Sequence, residues 1–305
     1  MNLLDILTPL YLLISLGFLL KKYQFPSLEF WPGIEKMIYF ILFPVLVFVA
    51  ILKAPIDLSL IVKVIVITLI PALVSGLLQF VGLLSPSINR ATVSSMYQGA
   101  VRNNTAISLV IVSWLLPDTG LAFMAVIILI MVPMNNLTSI LVLLRYGNNT
   151  KEKPSSWWFD VIKNPLIIAS AFGLIFNILK IELPLSLVNA ADFLGRSALP
   201  FALLAVGAGL KFGSIFDNKL AISISSFGGL VVAPAISWGL CTIMGIEADL
   251  TKVVIIFSAM PTAVSSYILA KHMGGDADGM AQIITFQTVA AAFTLPIILF
   301  LLQGL

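Results

Sequence analysis

The chain has 305 residues, of which 60% are hydrophobic and 10% are charged, and its formal net charge at pH 7 is +3. A soluble domain carries about 25% charged residues, so this composition excludes a water-soluble globular protein and indicates a polytopic all-α membrane protein. The small net charge gives no reason to expect a nucleic-acid partner. The single cysteine, Cys241, excludes an intrachain disulfide and a cysteine metal cluster, and we expect no metal and no cofactor.

Apolar runs bounded by charged residues, proline and glycine predict ten membrane spans, because about 20 apolar residues cross a bilayer as a helix. Five spans precede a short polar stretch in the middle of the chain and five follow it. The predicted spans are 3–20, 33–52, 58–84, 91–116, 120–144, 164–180, 185–210, 219–245, 250–272 and 277–303.

The distribution of lysine and arginine predicts the orientation, because these residues collect in cytoplasmic loops. The odd-numbered loops hold eleven of them and the even-numbered loops hold four. Both termini are therefore expected outside the cytoplasm, and the short loops fit a bacterial inner (plasma) membrane. The residues of the odd loops are Lys21, Lys22, Lys36, Arg90, Arg145, Lys151, Lys153, Lys163, Lys211, Lys219 and Lys271, and those of the even loops are Lys53, Lys63, Lys180 and Lys252.

The two halves of the chain share short motifs in the same order, at offsets of 156 to 163 residues. Each half has five predicted spans, an odd number, so the second half must enter the bilayer from the opposite side. The pattern predicts an inverted repeat, with 1–145 and 164–305 as five-helix repeats and 146–163 as a short cytoplasmic loop. The alternative is chance similarity between two apolar sequences. The matching motifs are Pro9-Leu10 and Gly17 with Pro165-Leu166 and Gly173, Pro44 with Pro200, Pro71-Ala72 with Pro234-Ala235, and Thr105-Ala106 with Thr262-Ala263.

The fourth predicted span carries a polar cluster near its middle. A charge at the bilayer centre costs at least about 2.5 kcal/mol, so Arg102 is expected to face a watery cavity or a partner. The adjacent Asn103 and Asn104 favour local side-chain bonding over continuous helix. We therefore predict a break in this helix, with a second half that begins near Thr105.

The ninth predicted span carries Pro261 near its middle, at the position that aligns with Asn104 in the repeat. Proline removes a backbone donor and frees a carbonyl four residues back, so a second break is expected. Half-helices that begin near Thr105 and Thr262 would meet near the midplane, each with about half a positive charge and unpaired N–H groups. An anion is the natural ligand of such a place. Two kinks packed inside the bundle, with Arg102 snorkelling to one interface, would give the same pattern.

Polar residues also lie in the fifth and tenth spans. Asn136 and Gln282 are expected to bond across helices, whereas Asn135 and Gln287 fit that role and a cavity-lining role equally. His272 closes the ninth span, where it is either a helix-end residue or a proton relay.

The chain has no motif that would support an enzyme. It contains no HExxH, no GxSxG and no Walker lysine loop, and it has one histidine and one cysteine. The fourth, fifth, ninth and tenth spans contain no aspartate or glutamate in their interiors, which disfavours a proton antiporter built on a carboxylate pair.

Several segments together resemble the auxin efflux carrier family, which includes the plant PIN-FORMED carriers and many bacterial permeases. Asn103-Asn104-Thr105 is similar to the family's Pro-Asn-Thr break, and Met260-Pro261-Thr262 followed by Ala270-Lys271 is similar to its Leu-Pro-Gln break. The stretches Phe43-Pro44-Val45-Leu46 and Gly207-Ala208-Gly209-Leu210 are similar to parts of its second and seventh helices. The likeness covers nearly the whole chain.

The resemblance implies ten transmembrane helices in two inverted five-helix repeats with crossing broken helices 4 and 9, as in sodium/proton antiporters and bile-acid symporters. It also implies a scaffold of 1–56 and 164–212, often dimeric, and a transport unit of 57–145 and 213–305 that moves in elevator fashion. The family's substrates are organic anions, auxin in plants and small carboxylates in bacteria. Because Asn103 replaces the first crossover proline and the central loop is short, auxin itself and regulation through that loop are not expected.

The sequence therefore predicts a secondary transporter of a small organic anion, a carboxylate, with the substrate at the helix 4/9 crossover. The expected partners are this anion, membrane lipid and a second copy of the chain, which would form a homodimer through the scaffold helices. Two alternatives stay open, a sodium- or proton-coupled symporter of another small solute and a membrane sensor that transports nothing. The predicted substrate-binding residues are Arg102, Asn103, Asn104, Thr105, Asn135, Pro261, Thr262 and Ser265, and the candidates for ion or proton coupling are Gln287 and His272.

Overall fold

The computed structural model describes residues 3–53, 58–116, 119–148, 164–210 and 218–304, and the regular secondary structure in these ranges is helical. By length and composition, six helical stretches in this part of the chain can cross a membrane. The protein is therefore a polytopic α-helical membrane protein, whereas the number of ten spans and the inverted repeat stay predictions. The six stretches are Phe30–Leu52, Ile61–Leu84, Gly120–Tyr146, Leu185–Gly209, Lys219–Ile243 and Ala277–Leu302.

The described helices coincide closely with the predicted spans, and the fourth and ninth predicted spans each consist of two shorter helices. In chain order the helices are α1 (Leu3–Lys22), α2 (Phe30–Leu52), α3 (Leu58–Leu78), α4 (Arg90–Val101), α5 (Thr105–Leu115), α6 (Gly120–Tyr146), α7 (Pro165–Ile178), α8 (Leu185–Gly209), α9 (Lys219–Ile243), α10 (Ala248–Ser258), α11 (Ser265–His272) and α12 (Ala277–Leu302). A 3₁₀ segment, Gln79–Leu84, continues α3. Most of the predicted central loop, 149–163, lies outside the described residues.

Two helices contain a wide π-type turn just before a proline. In α2 the turn Ile38–Leu42 precedes Pro44, and in α9 the turn Gly228–Val232 precedes Pro234. Proline has no N–H and its ring clashes with the preceding turn of an α-helix. A local turn with i to i−5 hydrogen bonds widens the helix at this point, so both helices continue through the proline instead of ending there.

The chain forms two compact units. Unit 1 comprises Met1–Val64, Ala106–Ile130 and Trp158–Leu210, and unit 2 comprises Ile65–Thr105, Met131–Trp157 and Lys211–Leu305. The predicted division into scaffold and transport unit concerns motion, and it stays a prediction.

Glycines set the helix packing in unit 1. The helix α1 packs along the second half of α8, and a Cβ atom at Gly17 or Gly207 would collide with the facing backbone, at Leu204 and Ile14 respectively. The helix α2 packs against α7 and the first half of α8. Near the end of α7, the Asn177 side chain donates hydrogen bonds to the last carbonyls of α2, at 2.9 and 3.2 Å.

The helix α4 lies at the centre of unit 2. Every residue from Ala91 to Val101 is buried, and α4 packs against α9, α11, α12 and the 3₁₀ end of α3. A Cβ atom at Gly99 would collide with the Ser225 hydroxyl, so α9 can approach α4 closely at this glycine. Asp276 caps α12 and also accepts a hydrogen bond from the Thr92 hydroxyl at 2.8 Å, which ties the first turns of α4 and α12 together.

Candidate binding site at two interrupted helices

The fourth predicted span is interrupted between Val101 and Thr105. The N–H of Arg102 still bonds to the carbonyl of Gln98 at 3.0 Å, but its φ and ψ of −96° and 77° leave the helical region. Asn103 forms an isolated β-bridge, Asn104 lies outside regular secondary structure, and α5 begins at Thr105. The break and the start of the second half lie where the sequence places them.

The ninth predicted span is interrupted between Ser258 and Ser265. The last helical-type bond runs from the N–H of Met260 to the carbonyl of Phe257 at 3.3 Å, and Pro261 has no N–H with which to continue. The second half, α11, begins at Ser265 and not near Thr262 as expected. The physical reason is that the backbone at Thr262 and the residues beside it is paired with the other interrupted segment.

The two interrupted segments pair as a short antiparallel bridge in which Asn103 lies opposite Thr262. The N–H of Asn104 donates to the carbonyl of Pro261 at 2.8 Å, and the N–H of Ala263 donates to the carbonyl of Arg102 at 2.7 Å. Inside a membrane an unpaired backbone group costs several kcal/mol, so this reciprocal pairing makes non-helical backbone tolerable there. We call this pair of segments, 102–104 and 259–264, the crossing.

Two side chains hold the crossing against its neighbours. The Gln287 side chain accepts from the N–H of Thr262 at 2.8 Å and donates to the carbonyl of Gly99 at 2.9 Å. The Thr262 hydroxyl lies 3.1 Å from the carbonyl of Arg102 and 3.3 Å from that of Gln98. Both side chains are buried and hydrogen-bonded to backbone groups of the protein, so Gln287 has a structural role at the crossing. Its predicted part in ion or proton coupling stays a prediction.

The side chain of Asn103 hydrogen-bonds to the C-terminal end of α10. Its side-chain nitrogen donates to the carbonyls of Phe257 and Ser258 at 2.8 and 3.2 Å. These carbonyls belong to the last turn of α10, where Pro261 prevents the next helical hydrogen bonds. The donor capacity of the Asn103 amide is therefore used to finish α10.

Arg102 carries the charge of the site, and neutral oxygen atoms orient its guanidinium group. Nη1 donates to Oδ1 of Asn136 at 2.6 Å, Nε to the hydroxyl of Ser266 at 3.0 Å and Nη2 to the hydroxyl of Ser265 at 3.2 Å. Arg102 is half-buried and Ser265 is exposed, so the charged group lies at an opening and not in sealed core. Asn136 bonds across helices, as the sequence predicts.

Polar groups beside Arg102 are available to a ligand. The N–H groups of Val264 and Ser265, at the start of α11, make no hydrogen bond to another described residue. The side-chain amide of Asn135, next to Asn136 on α6, likewise has no hydrogen-bond partner within the described ranges. These groups are donors that an acidic ligand can use.

The structure brings most of the predicted site residues together but leaves one apart. Asn104, which is 5% exposed, lies in the crossing, and Thr105 follows it as the first residue of α5. His272 ends α11, seven residues beyond Ser265, which is about 10 Å along a helix. Ser266 was not predicted as a site residue. It directly follows Ser265, and its hydroxyl oxygen accepts the hydrogen bond from Nε of Arg102.

Comparison with known proteins adds one positive finding. Residues 3–299 match the family model described as "Membrane transport protein". Among curated proteins, none matches the chain.

Proposed function

The chain belongs to the membrane transport protein family, which is the auxin efflux carrier family, and from this premise we propose that it is a secondary transporter of a small organic anion. The family is one of membrane transporters and not of enzymes. The anion is a carboxylate that binds at the crossing of unit 2. The observation that carries this proposal is the oriented guanidinium of Arg102 beside the start of α11.

An arginine held in this way favours a carboxylate. The planar guanidinium matches the two oxygens of a carboxylate, and charge-assisted hydrogen bonds are about twice as strong as neutral ones. Three of the groups that Arg102 contacts are hydroxyl and amide oxygens, which an anionic oxygen can replace with a gain in electrostatic energy. The low dielectric of the membrane interior increases this gain.

The start of α11 adds to the positive potential. A helix N-terminus carries about half a positive charge and presents unpaired N–H groups, which bind anions. The N–H groups of Val264 and Ser265 and the Ser265 hydroxyl lie beside the Arg102 guanidinium. A carboxylate bound there would interact with the charge, the N–H groups and the hydroxyl at once, and the Asn135 amide would contact its other end.

The proposed mechanism is alternating access in an inverted-repeat fold. In support, the glycines that the repeat aligns make corresponding contacts: Gly17 of α1 lies against Leu204 of α8, and Gly173 of α7 lies against Ile51 of α2. Ten spans related in this way would place both interruptions near the midplane, with both termini outside the cytoplasm of a bacterial cell. The transport unit would move against a dimeric scaffold and carry the crossing with its ligand.

The proposal is tested by flux in reconstituted vesicles. We expect uptake of a labelled small carboxylate by the wild type, and at least a tenfold loss in Arg102→Gln. The matched control is Arg90→Gln, since Arg90 is an exposed arginine at the other end of α4, and its uptake should equal that of the wild type. Equal uptake by Arg102→Gln and the wild type would show that Arg102 does not bind the transported carboxylate.

The same vesicles separate the two alternatives. Uptake that follows an imposed sodium or pH gradient identifies a coupled symporter. Carboxylate binding to the purified protein, seen as a rise in thermal stability, without uptake in vesicles identifies a sensor.

A further inference from the structure

Two polar side chains in unit 2 are fully buried and have no hydrogen-bond partner in the described part of the chain. Both amide atoms of Gln98, Oε1 and Nε2, lack a hydrogen bond to any described residue, and so does the hydroxyl of Ser139. Both residues are 0% exposed. A buried polar group without a partner costs about 1 to 3 kcal/mol, so three such atoms require a physical explanation.

The register of α4 against α6 places these two side chains at the same level. Arg102 bonds to Asn136, the side chains of Tyr97 and Thr138 lie close to each other, and Val142 packs on the cluster of Tyr97, Ala100 and Val101. Residue numbers fall along α4 as they rise along α6, so the helices are antiparallel. Position 98 then lies level with position 139.

The same contacts fix the direction in which both side chains point. Each successive residue is rotated by about 100° about the helix axis. Because the two helices are antiparallel, Gln98, which follows Tyr97, and Ser139, which follows Thr138, are rotated toward the same side of the helix pair. That side also holds Arg102 and Asn136, and it is covered by Ser266 of α11. By this geometry Gln98 and Ser139 face the same groove, which α4, α6 and α11 border one helical turn along α4 from Arg102.

We propose that Gln98 and Ser139 bind a buried water molecule between α4 and α6. A water that accepts from Nε2–H and donates one O–H to Oε1 and the other to the Ser139 hydroxyl satisfies all three unpartnered atoms, as buried waters commonly do. The two side chains do not bond to each other although they lie at one level, so each of them needs another partner. The inference concerns unit 2 alone and does not rest on the proposed transport function.

A metal cation fits these groups less well than water does. A cation would use the oxygens of Gln98 and Ser139 but would leave the Nε2–H donors of Gln98 unpaired. Hard cations also require about six oxygen ligands, and the described residues of the groove supply two side-chain oxygens without a partner. A water molecule can pair with both the N–H donors and the oxygen atoms of these side chains.

A density map of the full-length protein in lipid nanodiscs, at a resolution that shows ordered water, tests the site directly. We expect a peak within hydrogen-bonding distance of a Gln98 amide atom and of the Ser139 hydroxyl. A direct bond between the two side chains, well-defined side chains without a peak, or a peak surrounded only by oxygen atoms at metal-like distances would each overturn the inference.

Thermal unfolding in detergent provides an independent test that needs no map. We expect Ser139→Ala to lower Tm by about 2 to 4 °C in the wild type, because the water loses a partner. In the Gln98→Met background the water is already lost, so Ser139→Ala should leave Tm unchanged or raise it. Ser94→Ala is the matched control, because Ser94 is buried on α4 and its hydroxyl bonds within that helix. If Ser139→Ala raises Tm in the wild type as well, the groove is dry and the inference fails.

Discussion

Gln287 and Thr262 are joined by a hydrogen bond of 2.8 Å from the backbone N–H of the threonine to the side-chain oxygen of the glutamine. The same amide donates to the carbonyl of Gly99 at 2.9 Å. One side chain of α12 thus satisfies an N–H that Pro261 leaves outside any helix and also bonds to α4. This contact explains why the backbone stays extended at Thr262 and helix resumes only at Ser265.

Gln287→Leu is expected to destabilise the protein. The substitution keeps a similar volume but leaves the Thr262 N–H and the Gly99 carbonyl without the amide, at a cost of about 1 to 3 kcal/mol for each buried group. Tm in detergent should therefore fall by several degrees. Gln303→Leu, at the exposed end of α12, is the control and should leave Tm within error. Equal Tm values for both variants would mean that the crossing does not depend on Gln287.

Arg102→Lys is expected to separate charge from geometry. Lysine keeps the positive charge, but a single ammonium cannot reproduce the planar fork that reaches Asn136, Ser265 and Ser266. Loss of one charge-assisted hydrogen bond, about 1.5 to 3 kcal/mol, corresponds to roughly 10- to 100-fold weaker carboxylate binding. Isothermal titration with the transported carboxylate measures this difference. Unchanged affinity in Arg102→Lys would show that charge alone attracts the ligand.

Asn103 and Asn177 form a matched pair that separates a structural from a functional role. Each side-chain nitrogen donates to two successive carbonyls at the end of a neighbouring helix, α10 for Asn103 and α2 for Asn177. Aspartate at either position replaces the donor with an anionic acceptor that repels those carbonyls. We expect both Asn→Asp variants to lower Tm by several degrees.

The two variants should differ in ligand binding. Asn103→Asp also places a negative charge beside Arg102 and should abolish the thermal shift that a carboxylate produces. Asn177→Asp, in unit 1, should keep that shift on top of its lower Tm. A preserved shift in Asn103→Asp would exclude an anion from the crossing.

The sequence was sufficient to predict where the helices are interrupted, because the causes are local. Pro261 removes a donor from its own helix, and Asn103 with Asn104 competes for backbone groups nearby. The bounds of the membrane helices were predictable for a similar reason, since apolar runs end at charged residues, proline and glycine. The wide turns before Pro44 and Pro234 were not predicted, because a proline can end, kink or widen a helix and the choice depends on packing.

The partners within the site could not be predicted from the sequence. Gln282 and Gln287 lie in one helix, and only the register of α12 against α4 brings Gln287 to Gly99 and Thr262. Ser266 is the partner of Arg102 because α11 begins at Ser265, three residues later than expected. Gln287 and Gly99 are 188 positions apart in the sequence, and Arg102 and Ser266 are 164 positions apart. These contacts arise from tertiary packing, which short motifs do not encode.

The contact between α1 and α8 provides a last prediction, which concerns the stability of unit 1. A Cβ atom at Gly207 would overlap the carbonyl of Ile14, and a rigid helix backbone cannot move aside as a flexible side chain can. We expect Gly207→Ala to lower Tm by several degrees, because overpacking of this kind costs about 1 to 3 kcal/mol. Gly239→Ala is the matched control, since nothing lies within 4 Å of its added Cβ atom. It should raise Tm slightly, because alanine is the better helix former by about 1 kcal/mol. If both variants shifted Tm in the same direction, the backbones of α1 and α8 would not be in close contact at Gly207.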